Sequence, residues 1–229
     1  FDNINLDSGN QMVSAGLNNL FGEVIWFYPE SNSSVVNRMV AYNYFDSSPT
    51  RPVWTVGSLA RTIWRDSAVF GKPHALEYDA STDTSFDVIG NTEGRTSYYE
   101  HETGTDQNRN GTITAITANI LSGDFDITQQ QQGVADIRGD GEFLMKIRRF
   151  IPDFISQTGN TRITLNLRNF PNDTAASSSL GPFDITTSTQ KVDTRARARA
   201  IALKVENTST SQNWKLGTFR LDIQPDGRR

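Results

Sequence analysis

The run DTRARARAIALKVE, residues 193–206, decides how the chain is read. Arginine recurs at every second position, with alanine between. Three readings compete: a basic strip for nucleic acid, a short alanine-rich helix, or a strand whose arginines hold structure. Alanine and arginine favour helix locally, but the period of two sorts cleanly only on a strand. There Arg195, Arg197 and Arg199 lie in line with Ile201, Leu203 and Val205, and the other face carries Ala196, Ala198, Ala200 and Ala202. The apolar end is expected to enter a core and the arginine end to emerge at the rim of a sheet. The alanines would let a second layer approach closely. Arginines sharing one face repel each other unless they meet carboxylates. Asp and Glu on adjacent strands or a neighbouring subunit are the expected partners, ahead of phosphate, so Arg195, Arg197 and Arg199 are read as structural or interface residues.

The surrounding sequence supports the strand. Alternation marks Ile163, Leu165 and Leu167 in TRITLNLRNF, Phe143, Met145 and Ile147 in EFLMKIRRF, and Phe219, Leu221 and Ile223 in FRLDIQP. Turn chemistry flanks each of them: RGDGE, QTGN and PDG. Helix signals are few, NQMVSAGLNNLF being the one stretch with a short-helix texture. The expected class is all-β, with propeller-like aromatic strands in the first half followed by a β-sandwich. VIWFYP, RMVAYNYF, RPVWTVG and RTIWRD make the first half dense in aromatics, while the second half has longer Ser/Thr-rich connections such as NDTAASSSLG. The change of texture falls near Gly94–Thr103, which predicts a blade-like region over 1–97 and a sandwich over 98–229.

With 229 residues, 36% of them hydrophobic, the chain can bury a substantial core. No apolar run reaches the roughly 20 residues that a membrane helix needs. A net charge of −4 argues against a general nucleic-acid coat, while leaving room for local basic patches. Cysteine is absent, which removes disulfides, thiolate metal sites and cysteine nucleophiles together. The chain opens on Phe1 with no basic-then-apolar leader, and so reads as a processed product or a piece of something longer.

Chemistry-bearing patterns are sparse. In TDQNRNG, Asp106, Asn108 and Asn110 followed by Gly111 match the opening of a calcium loop. The twelfth position, where such a loop needs a bidentate Glu, is Thr117, so a polar hairpin tip is the better reading. In YYEHE, a strand would place Glu100 and Glu102 on one face and His101 on the other, with His74 the second of two histidines. Two histidines rule out a three-His zinc site, and both are read as surface residues at strand ends. There is no G-x-S-x-G, P-loop or G-x-G-x-x-G. Asp124 and Asp126 fall on one strand face, as solvating acids rather than a catalytic pair. Arg138–Asp140 spells RGD within a turn, and ITQQQQGV is a polar loop. Asn32, Asn110, Asn172 and Asn207 open N-x-[ST] patterns at the frequency expected of such a composition. No cofactor, metal or catalytic residue is expected.

Several stretches in order resemble one family, the tail hub or nozzle proteins of short-tailed bacteriophages, also described as packaged-DNA stabilisation proteins. They are EVIWFYPE, RMVAYNYF, PVWTVG, RTIWRD, YYEHETG, SGDFDIT, FLMKIRRFIPDF, ITLNLRNFPN, and the closing run from KVDTRARARA through WKLGTFRLDIQPDGRR. The resemblance spans nearly the whole chain and is one of texture and order, since none of these strings is a catalytic signature. It implies a virion component, not an enzyme, assembling as a ring of usually six copies below the portal. It also implies a tail adaptor and tail tip or fibre proteins as neighbours, and double-stranded DNA passing through the channel without sequence recognition. Members are typically longer, with β-rich sequence ahead of the part matched here. The glutamine tract departs from the pattern.

The rival expectation is a carbohydrate-binding or glycan-cleaving virion module, with Trp26, Trp54 and Trp64 as a sugar platform. Tryptophan exposure separates the two. An adhesion domain presenting RGD ranks last.

Overall fold

In the computed structural model, residues 4–5, 12–66, 71–79, 95–109, 111–127, 143–170, 172–173 and 178–227 are described. Among them every regular element is a strand, so the chain is all-β. It divides into two compact units, Phe1–Thr103 and Gly104–Arg229.

The first unit contains two antiparallel meanders. Strands β1 (Ser14–Asn18), β2 (Glu23–Tyr28), β3 (Arg38–Ser48) and β4 (Arg51–Gly57) pair in sequence order. Strands β5 (Ile63–Arg65), β6 (His74–Asp79) and β7 (Arg95–Glu100) do the same. A boundary after residue 97 would cut β7, which pairs along its length with β6 and belongs to this unit.

The helix-textured stretch is instead strand β1 with the turn that follows it. Antiparallel pairing of Ser14–Asn18 with Phe27–Glu23 overrides the local propensity of Ala15 and Leu17. Gly16 is required there by close approach, because a Cβ would lie 2.3 Å from the Trp64 ring. Alternation on β2 sends Ile25 and Phe27 into a small core with Val36 and Ala41, which Trp64 flanks. Val24 and Trp26 face the other way.

The second unit contributes two larger sheets to one core. One has the order β10 (Asn119–Leu121), β16 (Ala200–Glu206), β13 (Thr161–Arg168), β14 (Ser179–Ile185). The other has the order β15 (Val192–Ala198), β11 (Met145–Ile151), β18 (Arg220–Pro225). Two two-stranded pairs are also described: the hairpin of β8 (Asp106–Arg109) with β9 (Thr112–Ala115), and the long-range antiparallel pairing of β12 (Phe154–Thr158) with β17 (Asn213–Leu216). The expected inward residues Ile163, Leu165, Leu167, Met145 and Ile147 are all buried in this core.

The arginine run departs from a single straight strand. It forms β15 and β16, separated by a bend at Arg199, and the two halves join different sheets. On β15 the buried positions are Thr194, Ala196 and Ala198, and the arginines are exposed. Past the bend, burial passes to Ile201, Leu203 and Val205, so the inward parity flips. A chain leaving one sheet for another on the opposite side of a core must present its other face to that core. At the crossing, the Arg199 amide donates to the Arg168 carbonyl of β13 at 3.0 Å. The alanines of β15 face the core, with Ala196 and Ala198 in the same buried cluster as Ile163 and Leu165, whereas Ala200 and Ala202, past the bend, lie on the opposite face from Ile201 and Leu203.

Candidate functional site

The solvent face of the β15–β11–β18 sheet is built by that alternation. Arg197 Nε lies 2.5 Å from Asp226 Oδ2, and its Nη2 donates to the Asp226 carbonyl at 3.2 Å. Arg149 sits between Asp222, at 3.3 Å, and Asp193, at 3.8 Å, and Lys191 reaches Asp193 at 3.2 Å. Carboxylates on neighbouring strands therefore hold part of the basic charge. Arg199 is also engaged. Lys146, which pairs across from Arg197, is exposed, as are Arg148 and Arg195. None of these three has an ion pair among the described residues. Among the described residues this face therefore carries more basic than acidic side chains.

The first unit offers a different surface. Cross-strand pairing of Trp26 with Val40, Val24 with Tyr42, Tyr42 with Trp54, and Val40 with Val56 gathers an apolar outer face. The Tyr42 and Trp54 rings lie 4.8 Å apart and the Trp26 and Trp54 rings 6.1 Å apart. Trp54 is 54% exposed, and it stands on β4, an edge strand of its sheet. Trp64 does not join this group. Its ring packs 5.6 Å from Phe27 on the inner side, and its Nε1 donates to the Leu17 carbonyl.

A buried polar centre also lies in the first unit, and sequence reasoning missed its key residue. Arg61, 5% exposed, has its Nη1 2.9 Å from Glu77 Oε2, and its Nε donates to His101 Nε2 at 2.9 Å. Its guanidinium stands 4.0 Å over the Tyr99 ring. Burial, the Arg61 charge and His74 together lower the His101 pKa from 6.5 to about 4. His101 is thus a neutral acceptor within the fold rather than a surface histidine. The unfolded chain takes up this proton near pH 6.5 and the folded chain only near pH 4. Stability from this group is therefore full above pH 6.5, falls as pH drops to about 4, and falls no further below that. We expect about 2 kcal/mol lost across this window, after allowing for solvent screening of a half-buried ring. Urea unfolding at pH 7 and pH 4, compared with His101→Gln, checks it, because the variant should lose that part of the dependence.

The remaining sequence candidates are occupied locally. Asp106 accepts the Ser211 amide at 2.8 Å and Asn108 caps the β8–β9 turn through the Gly111 amide at 2.9 Å. Asn110, the RGD string, the glutamine tract and Arg228–Arg229 lie outside the described residues. Glu100 pairs with Lys72 at 3.4 Å, Glu102 turns toward Asn18, and His101 toward Arg61, so the YYEHE side chains diverge. Asp124 pairs with Arg168 at 3.2 Å. Asn207 is 4% exposed and clamps the Ala118 amide and the Ile116 carbonyl, so it is a structural amide rather than an exposed acceptor. The chain matches no protein-family model and no curated protein.

Proposed function

We propose that this chain is a structural, non-enzymatic part of the tail hub or nozzle of a short-tailed bacteriophage, working in the virion through its sheet faces. The observation that carries the reading is the outer face of β15–β11–β18, where Lys146, Arg148 and Arg195 have no ion pair among the described residues. A neighbouring copy in a ring, expected to hold six, would supply the missing carboxylates. The tail adaptor and the tail tip or fibre proteins are the further partners. In this reading the β1–β4 meander is a blade of a propeller and the second unit a β-sandwich. DNA passes without sequence recognition, and the net charge of −4 suits a wall that grips phosphate weakly during genome ejection.

Two variants test it. Arg197→Ala breaks an exposed pair, so it should cost no more than about 1 kcal/mol of stability. Arg195→Glu should leave folding unchanged and reduce self-association. Sedimentation velocity reads assembly, and a salt titration of DNA binding reads phosphate affinity. Unchanged assembly in both variants, with loss of a salt-sensitive DNA affinity, would reverse the assignment.

One observation favours a second reading. Trp26, Tyr42 and Trp54 share a solvent face, an arrangement suited to stacking on a sugar ring. A carbohydrate-binding virion module would show easy acrylamide quenching in the assembled state together with glycan-array binding. Burial of Trp54 on assembly, with no glycan bound, would remove it.

A further inference from the structure

We propose that the free edge of β10 is a self-association surface, where a second copy of this chain adds its own β10 in antiparallel pairing. The segment GTITAITANILSG, residues 111–123, contains no charged residue and no proline. Within it Ile113, Ile116, Ile120 and Leu121 are between 49% and 59% exposed. Strand β10 is an outer strand of its sheet, beside β16. Exposed edges are normally kept from pairing by charge or proline. The other outer strands of the two larger sheets follow that rule. Strand β14 carries Pro182 and Asp184, β15 carries Asp193, Arg195 and Arg197, and β18 carries Arg220 and Asp222. Strand β10 has neither safeguard.

The fold holds this edge extended from its inner side. The Asn207 side chain clamps the Ile116 carbonyl at 2.7 Å and the Ala118 amide at 2.8 Å, and its backbone amide donates to the Ala118 carbonyl at 3.1 Å. Further along, the Ser122 amide donates to the Leu203 carbonyl at 2.9 Å, and Ser122 Oγ accepts the Leu203 amide at 2.8 Å. Ile120 stands opposite Val205 between these two points, so Ala118, Ile120 and Ser122 turn their backbone groups toward β16. The amides and carbonyls of Asn119 and Leu121 therefore point out of the sheet. Neither has a backbone partner on that side among the described residues. The side chains leave the same edge open. Val205 is fully buried, yet Ile120, beside it on the core-facing side, is half exposed.

This edge is complementary to itself. An antiparallel pair centred on Ile120 sets Asn119 of each copy opposite Leu121 of the other, so every outward amide finds an outward carbonyl. The two Ile120 side chains then meet at a non-hydrogen-bonded position, with Cα atoms about 4.5 Å apart, and carry the core face across the joint. No like charges are brought together. On the outer face, opposite Leu121 and Asn119, Lys204 and Glu206 stand 2.6 Å apart and offset each other. A charged strand would instead lay its charge against Ile120 or Leu121, so the uncharged segment itself is the fitting occupant. This contact is separate from the basic face of β15–β11–β18 and does not depend on the tail reading.

The test uses the 229-residue chain carrying Arg195→Glu, so that the basic face and this edge are read separately. Sedimentation velocity should show a reversible monomer–dimer equilibrium with a Kd on the order of 10–100 µM, since a short edge makes a small interface. Adding Ile120→Lys should weaken it at least about tenfold by setting two ammonium groups side by side, with little change in melting temperature because the side chain is exposed. Leu121→Pro should weaken it equally, since it deletes an outward N–H that β16 does not use. Hydrogen exchange should slow at the Asn119 and Leu121 amides as concentration rises through the Kd, while the Ser122 amide stays slow throughout. A chain that remains monomeric to roughly 0.5 mM would overturn the proposal. So would a dimer that either substitution leaves intact, or one that forms without protecting Asn119 and Leu121.

Discussion

Replacing Phe150 with alanine is expected to cost the second unit about 3–5 kcal/mol. Phe150 is fully buried on β11, between β15 and β18. Its ring stacks on Phe219 at 5.4 Å and meets the edge of Phe183, on β14 of the other sheet, also at 5.4 Å. The side chain therefore links both layers of the core. Truncation removes the apolar transfer energy, leaves a cavity between them, and deletes two aromatic contacts. Phe150→Leu keeps much of the volume and should cost less than half as much. Urea unfolding followed through Trp214, which packs against the same cluster, measures both. A loss below about 1 kcal/mol for the alanine variant would mean that the layers do not close on this ring.

Arg61→Ala should cost the first unit about 3–5 kcal/mol, for an electrostatic reason. The change leaves Glu77, whose side chain is largely buried, without its partner 2.9 Å away. It also strips His101 Nε2 of its donor and removes the cation from the Tyr99 ring. Much of the cost is the stranded Glu77 charge, so Arg61→Met combined with Glu77→Leu should recover a good part of it. Trp64, 4.7 Å from the His101 ring, reports the transition by fluorescence. If the double variant were as unstable as Arg61→Ala, packing of the guanidinium rather than its charge would hold this centre.

Period-two alternation made β11 and β13 legible because Met145 and Ile147, and Ile163, Leu165 and Leu167, turn into the core. Ile163, Leu165 and Leu167 therefore announce β13 without knowledge of its neighbours. The bend at Arg199 was not legible. No glycine or proline marks it in residues 193–206, and its parity flip depends on which sheet each half joins. Strand β1 was obscured for a related reason, since its pairing with β2 overrides the propensity of Ala15 and Leu17. The buried centres were invisible because their partners are remote in sequence. Arg61 meets His101 across 40 residues, and Asn18 meets Glu102 across 84. A single arginine in SLARTIW carries no sign that it will be buried, beyond the apolar residues around it. The outward placement of Arg195 and Arg197 on a strand was legible, and Arg197 meets Asp226. Which of the arginines are met within the unit was not legible, because Asp226 lies 29 residues on.

Mass photometry of the complete gene product, at concentrations up to micromolar, tests the structural-assembly reading most directly. The account predicts a closed oligomer of several copies, six being the expected number, that Arg195→Glu weakens. A species that stays strictly monomeric across that range would contradict it.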